Sequence, residues 1–234
     1  MDSGPALFSA AGVHKGYRLG ERQVPALRGV DLEIGRGEVV VLAGPSGSGK
    51  TTLLNLLGTL DEPDAGHLAF DGQELGALDP RERTLLRRRR LGFVFQTFNL
   101  VPVLSAVENV EYPLWIDGRG REECRRRARA ALAAVGLAER GGHRPDQLSG
   151  GERQRVGVAR ALVHAPLAIL ADEPTGNLDS TTAAAIMDLF LELNRERGTT
   201  LLIATHDPDL IARSPRRLSL RDGRVVADER GAAL

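Results

Sequence analysis

Gly44-Pro45-Ser46-Gly47-Ser48-Gly49-Lys50-Thr51 follows the apolar run Val39–Ala43 and leads directly into Thr52, Leu53 and Leu54. A short unbroken apolar run is what a strand covered on both faces requires, so this octapeptide joins a central strand to a helix. In that context the pattern Gly-x4-Gly-Lys-Thr is a phosphate-binding loop. Its glycines let successive backbone N–H groups converge on phosphate oxygens at the positive end of a helix, while Lys50 reaches the β and γ phosphates and the Thr51 hydroxyl ligates magnesium. Gly44, Pro45, Ser46, Gly47, Ser48, Gly49, Lys50, Thr51 and Thr52 are the expected nucleotide-binding set. As a mere glycine-rich turn, the pattern would arise in a chain of this length about one time in a hundred.

Working outward, Val30, Leu32 and Ile34 alternate with Asp31 and Glu33, the period-two signal of a half-buried strand. His67 to Phe70, bracketed by turn residues, reads as an edge strand. Asp79 before Pro80 reads as an N-cap opening a helix over residues 81–89. Cys124, Ala128, Ala131, Leu132 and Val135 recur at helical spacing on one apolar face, which makes residues 98–149 a helical lobe. Beyond it come an apolar strand at 167–171, a helix with Ile186, Leu189, Phe190 and Leu193 on one face, and a strand at Thr200–Thr205. That alternation implies a parallel α/β sheet. Asp222-Gly223 closes a hairpin between 218–220 and 224–226.

Composition narrows the function. The 234 residues suffice for one domain, or one domain with an inserted lobe. Lysine plus arginine and aspartate plus glutamate both number 31, so no global basic field attracts nucleic acid, and a nucleic-acid partner is not expected. The Arg87 to Arg90 run reads as a solvated face. The single cysteine, Cys124, reads as a small buried apolar group and fits a reducing compartment. The N-terminal stretch lacks the basic start and apolar run of a secretory signal, and no run of about 18 apolar residues spans a bilayer. A cytoplasmic protein that reaches the membrane only through a partner is the expectation.

Two further motifs carry chemistry. The 167–171 strand runs into Asp172-Glu173, placing two carboxylates at the C-terminal edge of a buried strand, where open α/β sheets bind ligands. Alone, such a pair is usually a helix cap; beside a phosphate-binding loop, Asp172 is expected to hold magnesium through water and Glu173 to polarise an attacking water. Leu148-Ser149-Gly150-Gly151-Glu152 is a capping box, and its two glycines leave the helix N-terminus open to an incoming phosphate.

Leu148 to Glu152, upstream of Asp172-Glu173 and downstream of the phosphate-binding loop, resembles the signature of ATP-binding cassette (ABC) ATPases, and the resemblance covers nearly the whole chain. It implies an α/β P-loop NTPase cassette over residues 1–234, with a mixed β-sheet core, an N-terminal antiparallel β subdomain and an α-helical subdomain inserted at about 98–149. It implies ATP and Mg2+ as ligands. Tyr17 matches the aromatic that stacks on adenine, and Gln96 the glutamine that senses magnesium and the γ-phosphate. Asp179, in Gly176-Asn177-Leu178-Asp179, matches a loop crossing a dimer interface, and His206 the histidine that contacts the γ-phosphate. Two cassettes then pair head to tail as a homodimer, with Ser149, Gly150 and Gly151 of one facing the P-loop of the other.

Residues 95–102, with Glu108-Asn109-Val110 and residues 173–179, are similar to a subfamily that includes lipoprotein-release, macrolide-export and cell-division ATPases. Its members drive a membrane permease subunit from the cytoplasmic face of the cell membrane. The apolar residues 97–102 would then help form a groove for a permease helix. The rival readings are a lone ABC ATPase outside transport, such as one in iron-sulfur assembly, and a regulatory nucleotide-binding module. Glu173 and His206 speak against the second, because neither is needed merely to bind ATP.

Overall fold

The computed structural model describes residues 6–20 and 22–231, so the outermost bounds of the expected 1–234 cassette lie outside the described residues. Two long strands, β1 (Phe8–Leu19) and β2 (Arg22–Ile34), pair antiparallel, and the expected alternation holds: Val30, Leu32 and Ile34 are buried while Asp31 and Glu33 are exposed. The chain continues through β3 (Val39–Ala43), α1 (Lys50–Leu57), β4 (Ala65–Phe70), β5 (Gln73–Glu74), α2 (Pro80–Arg90) and β6 (Leu91–Phe95). It then forms α3 (Ala106–Ile116), α4 (Arg121–Ala134), α5 (Gly150–Leu162), β7 (Ala168–Asp172), α6 (Ser180–Arg197), β8 (Thr200–Thr205), α7 (Pro208–Ala212) and the hairpin β9 (Arg216–Arg221) and β10 (Arg224–Arg230).

The strands form two sheets. One is antiparallel, in the order β2-β1-β4-β5; the other is mixed, in the order β10-β9-β3-β8-β7-β6. His67 to Phe70 was expected at an edge, but β4 lies inside its sheet because the two-residue β5 pairs with its outer side. A strand that short carries no periodicity to read. In the mixed sheet β6, β7, β8, β3 and β9 run parallel, and only β10 is antiparallel.

Alternate residues of the central strands feed two separate cores. Val39 and Val41 join the core formed with α3, α4, α5 and α6. Val40 and Leu42 join the core formed with α1, α2 and the antiparallel sheet. On α6 the buried stripe is Ala183, Ile186, Met187, Phe190 and Leu193, with Leu189 only half-buried. Each such large side chain contributes about 1.5–3 kcal/mol when fully buried. Cys124 lies in the first core, and burial pushes its thiol upward, as befits an inert packing residue.

Cross-strand bonds fix the end of the sheet where the parallel strands begin. The Leu167 N–H donates to Arg90 O (2.9 Å), Thr200 N–H to Leu167 O (3.0 Å) and Leu201 N–H to Glu38 O (2.9 Å). The Gly37 N–H donates to Thr200 Oγ1 (2.8 Å). The C-terminal hairpin is tied to the same end by Arg216, whose buried guanidinium donates to both oxygens of Asp228 (2.9 and 2.7 Å) and to Glu38.

The arginine run on α2 departs from expectation. Arg89 and Arg90 are solvated, but Arg87 donates to Thr59 O (2.6 Å) and is half-buried along with Arg88. In the apolar loop after Gln96, Leu100 packs against the first core. Phe98 is half-buried beneath Arg153, whose guanidinium carbon lies 5.1 Å from the ring centroid. Arg160 of α5 holds the loop backbone through Phe98 O (2.8 Å) and Asn99 O.

Candidate active site

Four neighbouring parallel strands deliver four polar segments in a row. Phe95, Asp172, Ala204 and Leu42 are level across β6, β7, β8 and β3. The residues just beyond them are Gln96, Glu173, the Thr205-His206 turn and the loop from Gly44 to Lys50. Residues spread along the sequence from 44 to 206 thus share one rim, the C-terminal edge where doubly wound sheets bind ligands.

The phosphate-binding loop is shaped by its glycines. Gly49 caps α1 at φ 105, and a Cβ there would lie 2.7 Å from Ala26 O, so no other residue fits. Lys50 is 6 % exposed; its ammonium donates to Gly44 O (2.7 Å) and Pro45 O (3.1 Å) and lies 3.8 Å from Glu173 Oε1. The Thr51 hydroxyl donates to Asp172 Oδ1 at 3.1 Å. Burial lifts the Asp172 carboxyl above its ordinary value; the Thr51 hydrogen bond opposes this and the neighbouring Glu173 charge adds to it.

Glu173 occupies the left-handed region at φ 44, a conformation costing roughly 1–2 kcal/mol for a residue with a side chain. Its N–H donates to Ala204 O (2.9 Å), and the resulting turn brings Oε1 within 2.8 Å of His206 Nδ1. Strain retained at a carboxylate beside a phosphate-binding loop is characteristic of functional positions. Gln96 follows β6 directly, and its backbone carbonyl accepts from Asn177 Nδ2 (3.0 Å).

Ser149 and Asp179 form a second group. Ser149 caps α5 in a reciprocal box: Glu152 N–H donates to Ser149 Oγ (3.2 Å) and Ser149 N–H to Glu152 Oε2 (2.9 Å). Asp179 caps α6 through Thr182 N–H (3.0 Å) and Thr182 Oγ1 (2.6 Å), and these bonds hold its carboxyl below the usual range. The two helix starts touch, since a Cβ on Gly151 would lie 2.5 Å from Thr182 Cγ2, so position 151 has room only for glycine. Among the described residues no hydrogen bond joins Ser149, Gly150 or Gly151 to the loop from Gly44 to Thr51.

Tyr17 stands on β1, and its hydroxyl donates to Asp61 Oδ2 (2.8 Å). Asp61 and Lys15 had not stood out in the sequence as site residues. Lys15 shares a strand face with Tyr17 by simple alternation, a signal that was available; Asp61, 44 residues on, gave none. Nearby, an open groove of about 440 Å³ is walled by Leu60, Phe93, Phe95, Tyr112 and Ile116 and edged by Arg87 and Arg88. Its α3 wall continues into Trp115, 67 % exposed, whose ring lies 6.0 Å from that of Tyr112.

Residues 27–176 match the family model described as ABC transporter. The chain is 48% identical over 227 residues to a lipoprotein-releasing system ATP-binding protein, LolD, of Bordetella pertussis, covering 97% of this chain and 98% of that one. It is 50% identical over 228 residues to a macrolide export ATP-binding/permease protein, MacB, of Syntrophobacter fumaroxidans, but spans only 32% of that protein's length. Among solved structures, the dimeric post-hydrolysis state of the ATP-binding cassette MJ0796, bound to ADP and Pi, superimposes with a TM-score of 0.89 at 44% identity, covering 97% of this chain and all of that one.

Proposed function

The chain belongs to the ABC transporter family, and from that premise we propose that it is the ATP-binding and ATP-hydrolysing subunit that powers a separate membrane permease, of the kind that transmits mechanical motion. The row of strand ends at β3, β8, β7 and β6 carries this reading, because it sets the groups for binding, activating and sensing a triphosphate side by side.

Each residue has a role that its surroundings support. The backbone N–H groups of the phosphate-binding loop and the Lys50 ammonium bind the β and γ phosphates. The Glu173 carboxylate, held by His206 and by its own strained turn, orients the attacking water. His206 and Gln96 lie on either side of it to contact the γ-phosphate. Thr51, Asp172 and Gln96 would hold Mg2+: hydroxyl, carboxylate and amide oxygens are the hard donors magnesium takes, and the first two already lie 3.1 Å apart. Magnesium, when bound, neutralises charge on the β- and γ-phosphate oxygens.

Ser149, Gly150, Gly151 and Asp179 serve the site of a second copy in a head-to-tail homodimer, which accounts for their standing apart from the loop of their own chain. Residues 98–149 act as a helical lobe inserted into the single cassette. Among the described residues no helix is long and apolar enough to cross a membrane, and the groove beside Tyr112 and Ile116 accepts the permease at the cytoplasmic face. The test is magnesium-dependent phosphate release by the purified chain and its stimulation by the co-expressed permease. A wild-type protein releasing no phosphate under either condition would refute the proposal.

A further inference from the structure

Tyr17 is 39 % exposed, so packing alone does not hold its ring. Polar contacts do. Its hydroxyl donates to Asp61 Oδ2 at 2.8 Å, and Lys15 Nζ, on the same face of β1, donates to Asp61 Oδ1 at 2.7 Å. Lys15 also donates to Glu62 O (2.7 Å), lies 3.7 Å from Asp64 Oδ1, and sits 5.4 Å from the Tyr17 ring centroid, covering one face of the ring with a cation. Asp61 is itself fixed to the helix that the phosphate-binding loop opens, since the Leu60 and Asp61 N–H groups both donate to Asn55 O of α1 (2.8 and 3.3 Å). The segment is stitched to β1 as well, through Gly16 N–H to Asp64 Oδ2 (2.7 Å) and Asp64 N–H to His14 O (2.9 Å).

We propose that Lys15 and Asp61 are positioning residues that lock the Tyr17 ring, relative to α1, as a preformed stacking platform for the base of the bound nucleotide. The inference rests on the ATP-hydrolase reading above. Both oxygens of Asp61 are engaged, one by the phenol and one by the ammonium, so a single carboxylate sets the height and tilt of the ring. The bonds from Leu60 and Asp61 to Asn55 O place the platform beside α1, the helix that the phosphate cradle opens. Ordering an exposed aromatic side chain before the ligand arrives removes that cost from binding. Burial pulls the Lys15 ammonium down, and Asp61, joined by Asp64 and Tyr17, more than restores it; burial likewise pushes the Asp61 carboxyl up, and the bonds from Lys15, the Glu62 N–H and Tyr17 bring it below its usual value. The charged pair is therefore the resting state at neutral pH.

The experiment compares wild type, Tyr17→Phe and Asp61→Ala by calorimetric titration with magnesium ATP and with magnesium tripolyphosphate, which has phosphates but no base. Tyr17→Phe removes one oxygen from a ring that is partly in solvent, so it is not expected to disturb folding; Asp61→Ala is checked by thermal melting. ATP affinity should fall about three- to tenfold in both variants, the size of one net hydrogen bond, with tripolyphosphate binding unchanged, KM raised and kcat held. Equal losses for ATP and tripolyphosphate would mean that the cluster merely braces the loop, and ATP binding like wild type in both variants would mean that the ring needs no tether; either result overturns the inference alone. Wild-type protein that bound no ATP would remove the hydrolase reading and the inference together.

Discussion

Oε1 of Glu173 lies 2.8 Å from Nδ1 of His206, and the backbone turn that brings them together holds Glu173 at a positive φ. Neither the hydrogen bond nor the strain is needed to cap a helix. Both make sense for a carboxylate that must point at one place. Glu173→Gln keeps the shape and a hydrogen-bonding oxygen but loses the base, so phosphate release should fall by roughly 10²- to 10⁴-fold while magnesium ATP still binds. An ATP-dependent dimer should then accumulate in light scattering, and a mutant that stayed monomeric at saturating ATP would contradict the composite site.

Asp172 meets Thr51 across 121 residues of sequence. Its carboxyl is raised by burial, so it is ionised less readily here than in the unfolded chain, and a cation should reverse that tendency. Asp172→Asn is expected to raise the magnesium concentration needed for half-maximal turnover by about 10- to 100-fold, the range for losing a supporting ligand contact. Nucleotide binding in the presence of a chelator should not change, which magnesium titrations with and without nucleotide would check.

Lys50→Ala and Ser149→Arg should separate two kinds of defect. The first removes the charge that meets the phosphates and weakens nucleotide binding by the single chain. The second costs about 1 kcal/mol through the lost cap, leaves that binding intact and blocks ATP-driven pairing. Nucleotide titration combined with sedimentation distinguishes them; equal loss of binding in both would place Ser149 in the site of its own chain.

Because Phe98 and Leu100 are partly packed, serine at those positions would threaten the fold as much as any docking. Leu60 (49 % exposed) and Ile116 (42 % exposed) wall the groove without supporting a core. The double variant Leu60→Ser, Ile116→Ser should keep basal hydrolysis and lose stimulation by the permease, measured in co-reconstituted vesicles. Full stimulation would put the docking surface elsewhere.

Arg216 joins the C-terminal hairpin to Glu38 ahead of β3, and its removal takes the buried cation from the half-buried Glu38 and the exposed Asp228, leaving Glu38 only Arg230 at 3.6 Å. Arg216→Ala should cost about 1–3 kcal/mol, the range for losing hydrogen bonds to charged groups, read as a lower denaturant midpoint. The Arg216 guanidinium holds the Asp228 carboxyl below its ordinary value. That stabilisation is therefore complete above the unfolded carboxylate range and is lost as pH falls through the depressed value. Wild type should lose stability on acidification in that window more steeply than the variant, though modestly, since Asp228 is partly in solvent.

What could be read from the sequence was local. The phosphate-binding loop, the Ser149 capping box, the Asp79 N-cap and the β9-β10 hairpin each occupy a few adjacent residues whose types set the backbone directly. Family resemblance supplied Gln96, Asp179 and His206, which no spacing singles out. Missing were the contacts between distant segments: Asp61 with Tyr17, Arg87 with Thr59, Arg153 over Phe98. These depend on strand order and loop path, which one sequence does not encode as a periodicity. The loop after Gln96 stayed ambiguous for the same reason, because apolar side chains in a loop look alike whether they face a partner or their own α5.

The two cores flanking the central sheet have a consequence for accuracy. A strand with one wet face has its register policed by hydrophobicity, since a slip by one residue would bury polar groups. On β3, β7 and β8 both faces are apolar, so a slip would bury almost as much oil while carrying Asp172 about 3.3 Å along the strand and onto the opposite face. The alignment of the reactive rim is therefore guarded from the far end, where Arg90, Leu167, Thr200, Leu201 and Glu38 are bonded in sequence across the strands. These ordinary backbone links, remote from any phosphate, act as the datum from which the machine is measured.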